Sequence, residues 1–229
     1  MSEPERLGEV LKKSPTLAPT NLSARPSFDA ELEEKDEAER QHHRAYSEIL
    51  DAAGFDVRHR QPKSADLARH AGWKAAVDGA WGMVQAGGVV VLLGDRGNGK
   101  TQAAYELARR AAWHGQHSTR YLRCREVGME IRRAYGKDGE VTEAEAVSQF
   151  VRPWLLVLDE CQERMDTDHE ARTLTLILDK RYGAVRPTVL IANTTEAGFR
   201  LLMRSSVIDR IKEGGGIRVF GWGSFRQAK

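Results

Sequence analysis

VVVLLGDRGNGKT, residues 89–101, runs from a continuous apolar stretch through a glycine-rich loop into Lys100 and Thr101. A short apolar run such as Val89–Leu93, bounded by turn residues, reads as a fully buried strand. Gly94–Thr101 matches GxxxxGK(S/T), and here it lies between a strand and a helix, the setting of a phosphate-binding loop. Gly94, Gly97 and Gly99 let the backbone turn tightly and aim successive N–H groups inward. Those donors, with the helix N-terminus behind Lys100, suit phosphate anions. Lys100 supplies a mobile point charge for the β- and γ-phosphates. The Thr101 hydroxyl is a candidate Mg²⁺ ligand. The expected nucleotide-binding set is Gly94, Gly97, Asn98, Gly99, Lys100, Thr101 and Gln102.

Outward from this loop, strands alternate with helices. A helix over Thr101–His114 is followed by a strand at Ser118–Cys124 and a helix at Glu126–Tyr135. Further strands fall at Leu155–Leu158, Thr188–Asn193 and Ile217–Phe220, with helices at Ala171–Tyr182 and Glu196–Glu213. Upstream, a helix over about Ser64–Gln85 stops at Gly87-Gly88. This alternation predicts an α/β fold with a mostly parallel sheet flanked by helices. The segment Ser27–Ala53 is helix-forming, but Phe28, Leu32, Tyr46, Ile49 and Leu50 are sparse. It reads as a solvated helix, or one that completes its core on a partner. Residues 1–27, with Pro15, Pro19 and Pro26, read as a tether with a short helix at Arg6–Lys13.

A second motif lies downstream. Leu155–Leu158 runs into Asp159 and Glu160. An acid at the carboxyl end of a parallel strand points into the ligand crevice. Asp159 is placed to bind Mg²⁺, and Glu160 to polarise an attacking water as general base. The Asp-Glu pair favours an ATPase that hydrolyses, so ATP and Mg²⁺ are the expected cofactors.

The remaining composition bounds the answer. Of 229 residues, 41% are hydrophobic and 30% charged, with a net charge of +2. No apolar run approaches the roughly 20 residues of a membrane span, and the N-terminus lacks a secretory h-region. The only cysteines are Cys124 and Cys161, which excludes a disulfide scaffold and suits a reducing cytoplasm. No histidine spacing suggests a structural metal. The charge is unevenly spread: seven acids and one base over 29–39, eight bases and two acids over 109–137, and seven bases and two acids from residue 200 onward. Such runs are either solvated faces or contact surfaces for protein and phosphate.

From Asp159 onward the segments DECQERMDTDHEARTLTLILDKRYGAVRPTVLIANTT, SSVIDRIKEGGG and IRVFGWGSFR resemble the AAA+ helicase loaders of the DnaC type. They are also similar to the IstB transposition ATPases and to bacteriophage loaders. The resemblance covers about Asp56 to Arg226. It implies an N-terminal arm, residues 1–55, that holds a replicative hexameric helicase, and an AAA+ ATPase domain, residues 56–229, with a minimal lid.

The resemblance also implies roles for single residues. Asn193 fits sensor 1, orienting the attacking water. Arg210 fits an arginine finger acting in trans, hence self-association, and Arg226 fits sensor 2. Related loaders often carry an arginine where this chain has Ser206; Arg204 could substitute. Arg132, Arg133, Tyr135 and Lys137 form a candidate single-stranded-DNA platform, the aromatic ring stacking a base and the cations tracking phosphates. Thr167 and His169 could face the same channel, whereas Trp222 and Phe225 read as core or lid packing.

Three functions follow as alternatives. The first is an ATP-dependent loader of a replicative helicase, without membrane contact. The second is an IstB-like helper ATPase assembling on double-stranded DNA. The third is a binding module that uses nucleotide only as a switch. Nine residues after Phe220 leave no place in this sequence for a C-terminal helix-turn-helix domain, and 196–213 is too short for a multi-helix lid.

Overall fold

The computed structural model describes residues 28–60, 67, 70–115, 117–135, 142–163 and 168–225. Two compact units divide the chain at Arg40 and Gln41. In the first, Phe28–Arg40 is helical and Lys35 to Arg40 are exposed. The second unit carries a parallel five-stranded sheet flanked by helices on both faces, the AAA+ P-loop architecture.

The strands are β1 (Val89–Gly94), β2 (Thr119–Arg123), β3 (Leu155–Asp159), β4 (Thr188–Ala192) and β5 (Gly216–Phe220), in the order β2-β3-β4-β1-β5. The buried apolar runs of β1, β3 and β4 occupy the three central positions, as expected of parallel strands covered on both sides. Alternation splits β1 between two cores: Val90 and Leu92 join one cluster, and Val89, Val91 and Leu93 the other. The helices are α1 (Phe28–Ala52), α2 (Val57–Arg60), α3 (Ala71–Gln85), α4 (Lys100–Gly115), α5 (Cys124–Tyr135), α6 (Glu143–Val151), α7 (Asp168–Gly183), α8 (Glu196–Leu202) and α9 (Ser205–Gly214). Trp73, Val77, Ala80 and Val84 of α3 and the buried alanines and Leu107 of α4 belong to the first cluster; α5, α6, α7, α8 and α9 supply apolar residues to the second, among them Val127, Phe150, Ile177, Phe199 and Ile211. Among the described residues, no helix is long and apolar enough to cross a membrane.

The C-terminal end of α1 differs from its reading as a solvated or partner-dependent helix. Leu50, Ala53 and Phe55 are buried in the first cluster, with Tyr46 and Ile49 packed against it. Tyr46, Ile49 and Leu50 fall at i, i+3 and i+4 and so share one face. Arg109 Nε donates to the Tyr46 hydroxyl at 2.9 Å, and Tyr121 N–H donates to Ala53 O at 2.7 Å. Sparse apolar residues suffice because they are concentrated in the last two turns. The proposed tether and its short helix, residues 1–27, lie outside the described residues, as do residues 64–66, 68 and 69 of the expected Ser64–Gln85 helix.

Two further differences concern helices. α6 has no counterpart in the reading above, although Thr142 opens it with a capping box. The Thr142 hydroxyl accepts from Glu145 N–H at 3.3 Å, and the Glu145 carboxylate accepts from Thr142 N–H at 2.9 Å. The Thr142 N–H and the Thr142 hydroxyl, which also donates to the carboxylate at 2.8 Å, hold the Glu145 carboxyl below its ordinary pKa. The Thr-x-x-Glu spacing was the available signal. The single helix expected over Glu196–Glu213 is broken: Met203 and Arg204 are extended, with ψ of 149° and 148°. The break lets Phe199 and the Val207, Ile208, Ile211 group both reach the second core. These helices form the crossover from β4 to β5.

Arg181, in the last turn of α7, is fully buried. Its guanidinium donates to the carbonyls of Phe150, Val151, Pro153, Trp154 and Pro187 and to the Thr188 hydroxyl. Burial, with the nearby Arg186 charge, pulls its pKa down to about 9; it remains cationic at neutral pH. One side chain thus ties the approaches to β3 and β4 together.

Candidate nucleotide site

The phosphate loop leaves the C-terminal end of β1. Gly94, Gly97 and Gly99 have φ of 136°, 86° and 88°, values that side-chain-bearing residues rarely adopt. Gly94 is also crowded: a Cβ there would lie 2.5 Å from Phe220 O and 2.6 Å from Asn98 Nδ2. Asn98 is buried, donating from Nδ2 to Phe220 O at 2.6 Å and accepting from Lys100 Nζ at Oδ1, 3.0 Å. Lys100 opens α4, and its ammonium also donates to Gly94 O (2.8 Å) and Asp95 O (2.7 Å). The loop thus curls around its own cation. Gln102 turns away, its Nε2 3.5 Å from Arg58 O.

Strand order brings the second motif to this loop. β4 lies between β1 and β3, so Gly94, Ala192 and Asp159 end three adjacent strands on one edge. Thr101 Oγ1 donates to Asp159 Oδ2 at 2.8 Å. Asp159 is buried, and its other oxygen accepts from Glu160 N–H at 2.7 Å. Glu160 has φ of 57°, a left-handed conformation that costs a non-glycine residue on the order of 1 kcal/mol. The turn behind it is fastened to β4: Cys161 N–H donates to Ile191 O at 2.9 Å, and Asn193 N–H donates to Gln162 Oε1 at 2.8 Å. Asn193 therefore sits at the end of β4, beside the acids.

Two residues that the sequence reading missed touch these acids. The Tyr121 hydroxyl donates to Asp159 Oδ2 at 3.0 Å, and its ring stacks on Phe55 with centroids 4.3 Å apart. Burial, then the Asp159 charge, raises the phenol's pKa far above its ordinary value, so it stays a donor. Arg123 Nε lies 3.3 Å from Glu160 Oε2; its guanidinium also reaches Glu126 at 3.5 Å and Asp56 at 3.7 Å. Both residues are on β2, whose pairing with β3 sets Arg123 opposite Asp159. Nothing in the local sequence announces that pairing.

Other candidates lie apart from this cluster. Arg210, on α9, has Nε 3.0 Å from Asp179 Oδ1, donates to Ser206 O at 2.9 Å and stacks over the Tyr182 ring. In this chain it is held by α7. Arg132 is paired with Glu170, while Arg133 is exposed. His169, Arg132, Glu170 and Ile131 line a cavity of about 250 Å³ between α5 and α7. The side chain of Tyr135, and Lys137, Thr167 and Arg226, lie outside the described residues.

Comparison with known proteins is consistent with this architecture. A replicative helicase loader DnaC of Buchnera aphidicola (subspecies Baizongia pistaciae) is 24% identical over 138 residues, covering 60% of this chain and 56% of the relative. The chain thus spans about half the length of the curated relatives it matches. A crystal structure of a putative primosome component from Streptococcus pyogenes superposes with a TM-score of 0.59 at 18% identity, covering 78% of this chain and 97% of the other. The crystal structure of the DnaC helicase loader gives 0.54 at 17%, covering 66% and 91%. At these identities the superpositions establish the shared fold. The family model for IstB-like ATP binding proteins matches residues 9–210, a span that takes in both the phosphate loop and the Asp-Glu strand end, and on that match the chain belongs to the IstB-like ATP-binding protein family.

Proposed function

We propose that this protein is an ATP-hydrolysing loader of a replicative DNA helicase, acting in the cytoplasm with single-stranded DNA. The observation that carries the ATPase part is the 2.8 Å hydrogen bond from Thr101 to Asp159, which joins the phosphate loop to the acidic strand end. The loader part draws support from the likeness to DnaC. Gly94, Gly97, Asn98, Gly99 and Lys100 would cradle the triphosphate; Gln102, which turns away to Arg58 O, would join them only on leaving that contact.

Among the described residues there is no cluster of three His, Cys, Asp or Glu side chains fit to hold a metal. Thr101 and Asp159 are only two oxygen donors, which suits a Mg²⁺ ion that arrives with its phosphates and keeps several waters. When bound, that ion supplies charge neutralisation at the β- and γ-phosphates. Lys100 exchanges the loop carbonyls for phosphate oxygens. Glu160 accepts a proton from the attacking water, released from Arg123 as it does so, while Asn193 orients that water. Arg210 would complete a neighbouring subunit's site after leaving Asp179; Arg226 is assigned to sensor 2 on resemblance alone. Arg132, Arg133, Tyr135 and Lys137 remain the proposed DNA contacts, with Arg132 exchanging Glu170 for phosphate.

Tyr121 gives a first check on the role of Asp159. Tyr121→Phe removes one donor from Oδ2 and keeps the stack on Phe55. Losing a group that orients a metal-ligating carboxylate costs about 10–100-fold in metal affinity, so the Mg²⁺ concentration for half-maximal turnover should rise about tenfold. A magnesium titration of phosphate release measures it.

Affinity purification from cell extract with ATP present, read by mass spectrometry, tests the loader reading. A replicative helicase is expected with the full chain and should be lost on deleting residues 1–40, a cut that leaves the second compact unit whole. The family match itself favours a second reading, an IstB-like helper ATPase on double-stranded DNA. A transposase in place of the helicase, with ATP-dependent filaments on duplex DNA, would decide for it.

A further inference from the structure

The phosphate loop is held from behind as well as lined in front. Three consecutive carbonyl oxygens each accept a hydrogen bond from a donor outside the loop. Phe225 N–H donates to Gly97 O at 2.9 Å, the Trp222 indole N–H to Asn98 O at 3.0 Å, and the Trp73 indole N–H to Gly99 O at 3.1 Å. The donors come from α3 and from the segment after β5. In a planar trans peptide the C=O of one residue and the N–H of the next point in opposite directions. Fixing the carbonyls of residues 97, 98 and 99 on the outer side therefore turns the N–H groups of Asn98, Gly99 and Lys100 to the inner side. These are the groups a phosphate anion needs in a nest.

We propose that Trp73 and Trp222 are positioning residues of the phosphate loop, whose indole N–H groups hold it in its anion-binding conformation before nucleotide arrives. This rests on the reading of Gly94–Thr101 as the triphosphate site. The indoles are themselves held. Trp73 is buried, and a Cβ at Gly99 would lie 3.0 Å from its Nε1. The His70 Nδ1 accepts from Trp73 N–H at 3.1 Å and caps α3. The Trp222 ring packs against His70 (4.9 Å between centroids) and Phe220 (5.0 Å). Phe220 in turn supplies the carbonyl that Asn98 Nδ2 reaches. A loop rich in glycine has many accessible backbone conformations, so the external donors select one of them and reduce the ordering cost of binding.

The test uses Trp73→Phe, Trp222→Phe and the double variant, which keep an aromatic ring and remove only the donor. Each single change should raise the dissociation constant for ATP about fivefold, the worth of one neutral hydrogen bond, and the double change about 25-fold. Because the effect passes through phosphate-facing N–H groups, the loss should be largest for ATP, smaller for ADP and absent for adenosine. Equal losses for all three, or none for ATP, would overturn the proposal. Lys100→Ala separates this from the parent reading: if it leaves ATP affinity intact, the loop is not the triphosphate site at all. A measurement on the unaltered chain covers the case of variants that do not fold. The indole N–H resonances of Trp73 and Trp222 should shift on adding ATP and stay in place with adenosine. Indole resonances unmoved by ATP would count against the brace.

Discussion

Glu160→Gln should lower steady-state ATP turnover by about 10³-fold, the scale of a lost general base, while leaving ATP affinity within about twofold of the original. Glutamine keeps the side-chain volume and cannot take the proton of the attacking water. The backbone at this position is already committed: Glu160 has φ of 57° and donates its N–H to the Asp159 carboxylate. The substitution therefore leaves the Thr101–Asp159 contact in place and acts on chemistry. It also removes the charge that faces Arg123 at 3.3 Å, an ion pair at the edge of solvent worth little to the fold. Phosphate release and equilibrium nucleotide binding, measured side by side, check the prediction. Unchanged turnover would remove Glu160 from the role of base. Absence of turnover in the unaltered chain, with DNA and partner present, would favour a nucleotide-gated binding module.

Arg181→Leu should destabilise the second unit by about 4 kcal/mol, a large share of the roughly 5–15 kcal/mol that holds a typical domain together. The guanidinium supplies donors to five carbonyls and one hydroxyl in a fully buried site. Leucine offers none, and buried acceptors left without donors carry their full desolvation cost. Chemical denaturation should show the loss as a lower midpoint with little change in slope. The acceptors lie at the end of α6 and at or just before the starts of β3 and β4, whereas Asp159 and Asn193 lie at or just beyond the opposite ends of those strands. Below the transition, the folded fraction should therefore bind ATP as before. A midpoint within experimental error of the original would show that water replaces the guanidinium.

The phosphate loop was legible because its chemistry is local. Gly94, Gly97, Gly99, Lys100 and Thr101 fall within one turn and one helix start, and the left-handed φ values are a direct consequence of the glycine spacing. The buried strands β1, β3 and β4 were legible for the same reason, as short apolar runs. Other elements were not. α6 carries a capping box that marks its start but no long apolar period. The end of α1 reads as solvated because only a few residues join the core: Tyr46, Ile49 and Leu50 in the helix, and Ala53 and Phe55 just after it. The break between α8 and α9 has neither proline nor glycine to mark it; two separate apolar groups must reach one core, and that is a demand of packing.

By itself, the sequence determined the α/β class, the phosphate-binding loop and the acidic strand end, since each depends on residues a few positions apart. Tertiary structure decided which strands are neighbours, and with that the make-up of the site. Thr101 meets Asp159 across 58 positions, and Asn98 meets Phe220 across 122. Tyr121 and Arg123 face the acids only because β2 pairs with β3. Trp73 and Trp222 reach the loop only because α3 and the segment after β5 close behind it. Hydrophobic patterning specifies which face of a strand or helix is buried, but it is indifferent to which partner buries it. The choice of partner is made by the packing of the whole sheet.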